Sequence, residues 1–214
     1  MHKVLENNFN YNIDFKINNI FTEEEKQKCI DILKTFENSD IGKKYKKIIP
    51  VSVLEENFAF DKKLQICKYN SKECWFRGSA DLYYVENDKA IISDWKSGKD
   101  KSDDKDFGIT QSMMYAVYIF LKYPDVKTVN TKFVFLEHST QKTIIYTRDK
   151  FNEYIKYFVS LTNDIETEKF FEPNVTALCD WCDFQAHEHC SAKKDYEKRV
   201  QDIQDKRCSF NFLD

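Results

Sequence analysis

Hydrophobic and polar positions alternate along the chain with two different periods. Residues 8–20 place apolar side chains at every second position, which is typical of a half-buried strand. Thr22 and Glu25 then form a capping-box pattern, and the apolar positions of residues 29–36 recur at helical spacing. Residues 51–60 return to a strand-like pattern. The first quarter of the chain therefore predicts a strand, a helix and a second strand.

The middle of the chain predicts a hairpin followed by a helix. Residues 73–85 and 89–94 have strand-like patterns, and residues 86–88 between them favour a turn. A charged loop over residues 98–106 follows. Residues 107–123 then carry apolar side chains at helical spacing. The second strand of the hairpin contains a short apolar run, which indicates a central strand covered on both faces.

The last third of the chain predicts another hairpin, a helix and a tail. The hairpin covers residues 132–146, and the helix has an apolar stripe over residues 151–165. Together these elements predict one α/β domain over residues 1–214, in which a central mixed β-sheet is flanked by helices. We place its core at about residues 20–172. A Cys-rich tail with a charged, helical end occupies residues 173–214.

Length and charge limit the class of protein. A chain of 214 residues can bury a sizeable core. Its 33 basic and 36 acidic side chains leave a net charge of −3, so nucleic-acid binding would require a local basic face. No apolar stretch approaches the roughly 20 residues that a membrane helix needs, so we expect no membrane partner.

The N-terminal composition and the cysteines indicate a compartment. Residues 1–14 are polar and lack the apolar core of a signal peptide. We therefore expect an intracellular, cytoplasmic protein. In that reducing environment the seven cysteines are expected to be thiols or metal ligands rather than disulfides.

Two aspartates and a lysine carry the strongest chemical signal. Asp81 and Asp94 stand at strand-like positions, and Lys96 follows two residues after the second. Converging carboxylate oxygens can hold Mg²⁺ or Mn²⁺. A lysine on the same side of the strand can orient a water or neutralise charge that develops on a phosphate. These residues are the minimum set for metal-assisted hydrolysis of a phosphodiester.

A further motif lies on the predicted helix that follows. Gln111 and Tyr115 are four residues apart, so their side chains share one helix face. The segments Gly78–Asp81 and Asp94–Lys96 precede it in the chain. In order and spacing, the three motifs resemble the RecB-like branch of the PD-(D/E)XK nucleases, over roughly residues 20–190.

This resemblance implies a restriction-endonuclease-like nuclease core and a metal-dependent DNA nuclease, usually an exonuclease acting from strand ends. It implies that Asp81 and Asp94 bind the metal, with the backbone carbonyl of Trp95 completing the protein ligands. Lys96 would be the catalytic lysine. The glutamine and tyrosine of the helix motif would line the active site or contact the nucleic acid.

A third carboxylate usually completes such a site. We choose Glu55, because it lies in the strand that precedes the Asp81 strand, with Glu56 on the other face as the main competitor. Many RecB-like exonucleases also carry a histidine upstream. Here the only histidine before residue 138 is His2, which is poorly placed, so the residues support a two- or three-carboxylate metal site.

Cysteines in the tail indicate a second metal site. Cys179 and Cys182 have the spacing that lets two thiolates bind one metal, and Cys190 follows them. In the RecB-like nucleases with an iron–sulfur cluster, including the CRISPR adaptation exonucleases, three such cysteines follow the core and a fourth comes from upstream. Cys29 occupies that upstream position, so the resemblance implies a 4Fe–4S cluster.

Two alternatives remain open for these cysteines. The spacing from Cys182 to Cys190 is longer than usual, and Cys29 falls on an apolar helix stripe where a buried thiol is common. Zinc bound by the tail cysteines with His187 or His189 would use only local ligands. Free thiols without any metal are the other alternative.

We expect a divalent-metal-dependent DNA nuclease that hydrolyses phosphodiesters, as an exonuclease on single-stranded DNA or DNA ends. Its partner would be DNA, with a helicase or another recombination or replication protein as a further candidate. One alternative is a nuclease-fold module with little or no activity that binds DNA ends or partner proteins. Another is a zinc-stabilised interaction protein. CRISPR adaptation, viral replication and recombination repair are all compatible with these residues.

Overall fold

The computed structural model describes residues 1–10, 22–170, 173–187, 189–198 and 200–201. Within these ranges, no helix is long and apolar enough to cross a membrane.

The chain forms two compact units. The first is Met1–Ser160 and the second is Leu161–Asp214. The first unit contains the sheet and all the motifs from residue 78 to residue 115. The organisation of residues 1–214 as a single nuclease domain stays a prediction.

The first unit is built on a five-stranded mixed sheet in the order β1-β2-β3-β4-β5. Strands β3 and β4 are parallel, and the other neighbouring pairs are antiparallel. The parallel pair follows from a helix that connects the two strands. The strands are β1 Val53–Asp61, β2 Cys74–Glu86, β3 Lys89–Lys96, β4 Thr128–Phe135 and β5 Thr140–Thr147.

Helices precede, connect and follow these strands. Short 3₁₀ turns lie at Ile49–Val51, Arg148–Lys150 and Ala177–Trp181, and residues 192–198 are helical. The α-helices are α1 His2–Glu6, α2 Glu23–Asn38, α3 Asp40–Ile48, α4 Ile109–Lys122, α5 Phe151–Thr167 and α6 Asp183–Ala186.

The predicted α/β architecture, a mixed sheet flanked by helices, is confirmed. The capping box at the start of α2 is also present: the Thr22 hydroxyl accepts from the Glu25 N–H, and the Glu25 carboxylate accepts from the Thr22 N–H. Leu33 and Phe36 bury the apolar stripe of this helix, while Cys29 is partly exposed. The first hairpin closes through a two-residue turn in which Asn87 has a φ of 55°.

Several predicted boundaries were wrong by a few residues, each for a local reason. Strand β1 begins at Val53 because Ile49–Val51 form a 3₁₀ turn. Helix α4 begins at Ile109 rather than at residue 107, since Gly108 takes the left-handed conformation, with a φ of 75°. Strand β4 begins at Thr128, four residues earlier than predicted.

Two further predictions concern the end of β3 and the strand predicted over residues 8–20. Strand β3 was predicted to end at Asp94 but continues to Lys96, because its pairing with β4 extends to Lys96 and Phe135. The strand predicted over residues 8–20 lies outside the described residues from residue 11 onward, and residues 7–9 form a turn.

Helices cover the sheet on both faces. On one face, which we call the α1–α3 face, an apolar cluster joins the first three helices to the strands. On the other, the α4 face, Phe58 of β1 stacks on Tyr118 of α4 with ring centroids 4.4 Å apart. The buried members of the apolar cluster are Val4, Leu5, Phe9, Leu33, Phe36, Tyr45, Ile49, Leu82, Trp95, Val134 and Leu136.

Candidate active site

The two motif aspartates lie where β2 and β3 separate. Leu82 pairs with Ser93 at this end of the ladder, so Asp81 and Asp94 are the next residues along the same register. The N–H of Trp95 donates to Asp81 Oδ2 at 2.7 Å. A carboxylate therefore takes the place of a backbone acceptor, which fixes Asp81 to the strand that carries Asp94.

Asp94 is a buried carboxylate, only 6% exposed. Its Oδ1 accepts hydrogen bonds from Gln111 Nε2 and from the Tyr115 hydroxyl, each at 2.8 Å. Its Oδ2 lies 2.7 Å from Lys96 Nζ. Since a buried polar group is costly without partners, these neighbours compensate for the burial of the Asp94 side chain.

Lys96 lies two residues after Asp94 and shares its sheet face, as the alternation of a strand requires. Its ammonium also donates to Gln111 Oε1 at 3.4 Å. The same Nζ lies 5.3 Å from the ring centroid of Phe133 in β4. The lysine head is thus surrounded by a carboxylate, an amide oxygen and an aromatic face.

The helix motif holds this arrangement together from α4. Gln111 Nε2 donates to the Tyr115 hydroxyl at 2.8 Å, one helical turn away. The Tyr115 hydroxyl oxygen also lies 3.1 Å from the backbone carbonyl oxygen of Ser79 in β2, so its one proton is shared between that carbonyl and the nearer Asp94. Burial, followed by the nearby Asp94 carboxylate, raises the pKa of Tyr115 far above its usual range. The phenol therefore keeps its proton and acts as a donor to Asp94.

The donor set at this point fits a hard divalent cation. Lys96 Nζ is close to Asp94 Oδ2 but outside hydrogen-bonding geometry, so this buried oxygen accepts no hydrogen bond within the described residues. Asp81 provides a second carboxylate in the adjacent register position. Carboxylate oxygens are the ligands that Mg²⁺ and Mn²⁺ prefer. No group of three or more His, Cys, Asp or Glu side chains in the described ranges is placed to hold a metal ion.

Glu55 stands opposite Asp81 at an irregular point of β1. Leu54 pairs with Leu82 and Glu56 pairs with Ala80, so Glu55 is in register with Asp81. Glu55 has a φ of 51°, which is strained for a residue with a side chain. This conformation turns the strand over, because Leu54 contacts the apolar cluster of the α1–α3 face while Glu56 contacts α4.

Glu56, the competing carboxylate, is engaged by α4 and β2. It accepts from the hydroxyls of Tyr83 and Tyr118 at 2.6 and 2.7 Å. Lys122 Nζ donates to both of its oxygens, at 2.6 and 2.8 Å. Burial alone would raise the pKa of Glu56, but hydrogen bonds from Lys122 and the two tyrosines hold it below its usual value. Glu56 therefore joins the sheet to α4.

The tail cysteines lie in the second compact unit. The Cys182 N–H donates to the carbonyl of Cys179 at 3.2 Å, and the rings of His187 and His189 are 6.5 Å apart. Within the described part of the chain, these cysteines and histidines, together with Cys190, form no group that could hold a metal ion. The described cysteines form no disulfide, and Cys29 lies in the first unit, on α2.

A local basic face exists on α3. Four of its nine residues are exposed lysines, and within the described residues only Lys46 pairs with an acidic partner, Glu37. Burial, together with the nearby Lys44 ammonium, lowers the pKa of Lys132 in β4. Lys44 and Lys132 therefore lie close enough for their charges to interact. The exposed lysines are Lys43, Lys44, Lys46 and Lys47.

Sequence reasoning missed two residues next to the Asp94–Lys96 motif. Phe133 contacts Lys96 through the parallel pairing of β3 with β4, and Gly108 packs directly against the Phe133 ring. A Cβ at Gly108 would lie 2.3 Å from that ring, so only glycine fits. The pattern of the chain gave no signal for either contact, since both depend on how β4 pairs.

Comparison with known proteins agrees with this geometry. The chain matches the family model of the PD-(D/E)XK nuclease superfamily over residues 4–187, which includes the sheet and the motifs from residue 78 to residue 115. A search of curated proteins gave no match. The match covers well over half of the chain, and the mixed five-stranded sheet flanked by helices is consistent with the fold of that family. The chain belongs to the PD-(D/E)XK nuclease superfamily.

Proposed function

We propose that this protein is a divalent-metal-dependent deoxyribonuclease of the RecB-like type, acting as an exonuclease on single-stranded DNA or DNA ends. Membership of the superfamily supports a nuclease in general. The observation that carries the proposal is the buried Asp94, held by Gln111 and Tyr115 and accompanied by Lys96. A solvated strand end would need none of these buried contacts.

The cation would be held by Asp81, Asp94, Glu55 and the backbone carbonyl of Trp95. When bound there, Mg²⁺ or Mn²⁺ supplies Lewis-acid stabilisation of phosphate charge and lowers the pKa of a bound water. The superfamily typically uses these two ions, which agrees with the oxygen-rich donor set.

The residues of the chain orient the reacting groups. Tyr115 and Gln111 fix the Asp94 carboxylate by donating to Oδ1, so that Oδ2 faces Lys96. The Lys96 ammonium lies where it can position a water or stabilise the charge that develops on the phosphate. The strand and helix that carry these side chains are rigid elements, which keeps the groups in place before substrate binds.

DNA would also contact lysines outside the active site. The exposed lysines of α3 provide the local positive charge that a protein of net charge −3 needs to bind a polyanion. Charge reversal at three of them should weaken DNA binding and reduce its salt dependence by about one slope unit per lost phosphate contact. The variant carries Lys43→Glu, Lys44→Glu and Lys47→Glu, and its control reverses the exposed Lys63, Lys68 and Lys72.

Cleavage of end-labelled DNA tests the proposed activity. Single-stranded and duplex substrates are incubated with Mn²⁺ or Mg²⁺ and wild-type protein, Lys96→Ala or Lys89→Ala. Lys89 is an exposed lysine at the opposite end of the same strand, so it serves as the matched control. We expect cleavage by wild type and Lys89→Ala, and a cleavage rate about 10³-fold lower in Lys96→Ala. The product ladder shows the polarity of cleavage.

Undiminished cleavage by Lys96→Ala would contradict the role assigned to Lys96. Folded wild-type protein that binds DNA without cleaving it would favour the end-binding module.

The tail metal stays a prediction. Elemental analysis of protein purified without oxygen distinguishes a 4Fe–4S cluster on Cys29, Cys179, Cys182 and Cys190 from zinc. Iron with equimolar sulfide would support the cluster, zinc would support the local alternative, and neither would support free thiols. A helicase or another recombination or replication protein as partner also stays a prediction.

A further inference from the structure

The ring of Phe133 contacts both Lys96 and Gly108, the residue that precedes α4. In the parallel ladder, Phe133 pairs with Asp94, and Lys96 pairs with Phe135. The Lys96 side chain nevertheless leans back along the strand, so that its Nζ lies 5.3 Å from the centroid of the Phe133 ring and 2.7 Å from Asp94 Oδ2. The side chain is therefore folded over the ring that neighbours the aspartate.

The edge of the same ring abuts the helix that carries Gln111. A Cβ on Gly108 would lie 2.3 Å from Phe133 Cε2, so the ring occupies the space directly beside the residue that precedes α4. The ring of Phe107 packs against Phe133 with a centroid separation of 5.2 Å and an interplanar angle of 72°. Phe133 is only 1% exposed, so these contacts fix its orientation.

We propose that Phe133 is a positioning residue, whose ring face holds the Lys96 ammonium beside Asp94 and at a set distance from the first turn of α4. This inference rests on the proposed nuclease function of Lys96. A lysine has four flexible side-chain bonds, so two polar contacts alone leave its ammonium mobile. The negative face of the Phe133 ring adds a third contact, which attracts the ammonium without removing its charge.

Packing alone would also explain a buried phenylalanine, so the test must change the ring's electrostatics and preserve its shape. Ring fluorination does this, because it weakens the negative face with little change in size. Phe135 is the matched control: it lies on the same strand, is also 1% exposed and also packs against Phe107, with centroids 5.7 Å apart.

The first readout is the rate of cleavage at saturating DNA and Mn²⁺, with fluorinated phenylalanines incorporated site-specifically at position 133 or 135. We expect kcat to fall progressively with fluorination at 133, by about tenfold overall, with KM unchanged. The same series at 135 should leave kcat unchanged, and the midpoint of thermal unfolding should shift equally at both positions. Equal kcat values in the two series would overturn the proposal.

A second readout does not depend on cleavage. In protein labelled with ¹³C at the lysine ε-carbons, the ring current of Phe133 should move the Lys96 ε-methylene protons upfield. The resonance is assigned by its loss in Lys96→Ala, and it should return toward the usual position in Phe133→Leu but not in Phe135→Leu. An unshifted Lys96 resonance in wild type would overturn the proposal. If wild-type protein cleaves no DNA, the nuclease function fails and this resonance alone decides whether Phe133 holds the lysine.

Discussion

The two faces of strand β3 differ in chemistry although their residues alternate along one chain segment. Asp94 and Lys96 point to the α4 face, whereas Ser93 and Trp95 point to the α1–α3 face. On the α4 face, charged and hydrogen-bonded groups are held partly out of water. On the other face, an apolar cluster packs around the hydrogen-bonded hydroxyls of Tyr45 and Ser93. Neighbouring residues of β3 therefore belong alternately to a polar network and to an apolar core.

The α1–α3 face is a packing surface. The Trp95 ring lies 4.7 Å from the ring of Tyr45 and 6.2 Å from that of Phe36, centroid to centroid. The hydroxyls of Tyr45 and Ser93 share a hydrogen bond of 2.7 Å. Burial raises the pKa of Tyr45 far above its usual range, so this pair stays neutral. The surface fixes the position of β3 from behind and leaves the other face to the polar network.

The α4 face maintains buried polar groups through contacts between distant parts of the chain. Asp94 depends on Tyr115, and Glu56 depends on Lys122, in each case across the interface between sheet and helix. Such groups cost free energy when they lose a partner, so the network makes the position of α4 specific. Substitutions at adjacent positions of β3 should therefore have effects of different kinds.

The largest difference in effect is expected between a substitution of Asp94 and a substitution of its neighbour Ser93. Asp94→Asn should lower cleavage by about 10³-fold or more, because the proposed metal ligand and the charge opposite Lys96 are lost together. Ser93→Ala should leave kcat unchanged and lower the free energy of unfolding by about 1 kcal/mol, through loss of the Tyr45 hydrogen bond. Cleavage assays and urea unfolding of both variants measure the two effects. Equal losses of activity in the two variants would contradict the proposed difference between the two faces of β3.

Trp95→Ala should affect stability rather than chemistry. Truncating this buried ring is expected to lower the free energy of unfolding by about 3–5 kcal/mol. The backbone N–H that binds Asp81 is retained, so the folded protein should still cleave DNA at low temperature. Trp181, which is 87% exposed, provides the control, and Trp181→Ala should change stability by about 0.5 kcal/mol at most. A folded Trp95→Ala protein without activity would argue that the ring itself contributes to the site.

Tyr115→Phe tests how strongly the helix motif acts on the Asp94 carboxylate. Removal of one hydroxyl leaves Asp94 with one fewer donor, which should lower kcat by about 10- to 100-fold. Tyr118→Phe, one turn further along α4, removes a donor to Glu56 and should leave kcat nearly unchanged. Steady-state cleavage with both variants makes the comparison, and a similar loss in both would show that α4 acts only as a whole.

The smallest effect is a pH dependence of stability at Glu56. Its pKa is lower in the folded protein than its ordinary value of 4.5, so its contribution is present above that value and is lost as the pH falls through the folded pKa. Glu56→Gln should therefore lose less stability than wild type on acidification through this window. Urea unfolding at a series of pH values from neutral to acidic checks it. Parallel curves for the two proteins would exclude a contribution from Glu56.

Local patterns were sufficient to predict much of the architecture. The capping box of α2, the hairpin of β2 and β3, and the helix carrying Gln111 and Tyr115 all follow from interactions between residues close in sequence. The placement of Asp94 and Lys96 on one face follows from the alternation of a strand. Boundaries failed where one residue took an unusual conformation, as at Gly108.

Helix and strand periods act over a few residues, so the amino-acid pattern predicts which side chains can meet within one element. Which elements meet follows from the packing of the sheet and its helices. The parallel pairing of β3 with β4 brings Phe133 to Lys96, and the left-handed φ of Glu55 turns Glu56 toward Lys122. Contacts of this kind join residues that are far apart in the chain, and they depend on the packing of the whole sheet rather than on any local pattern.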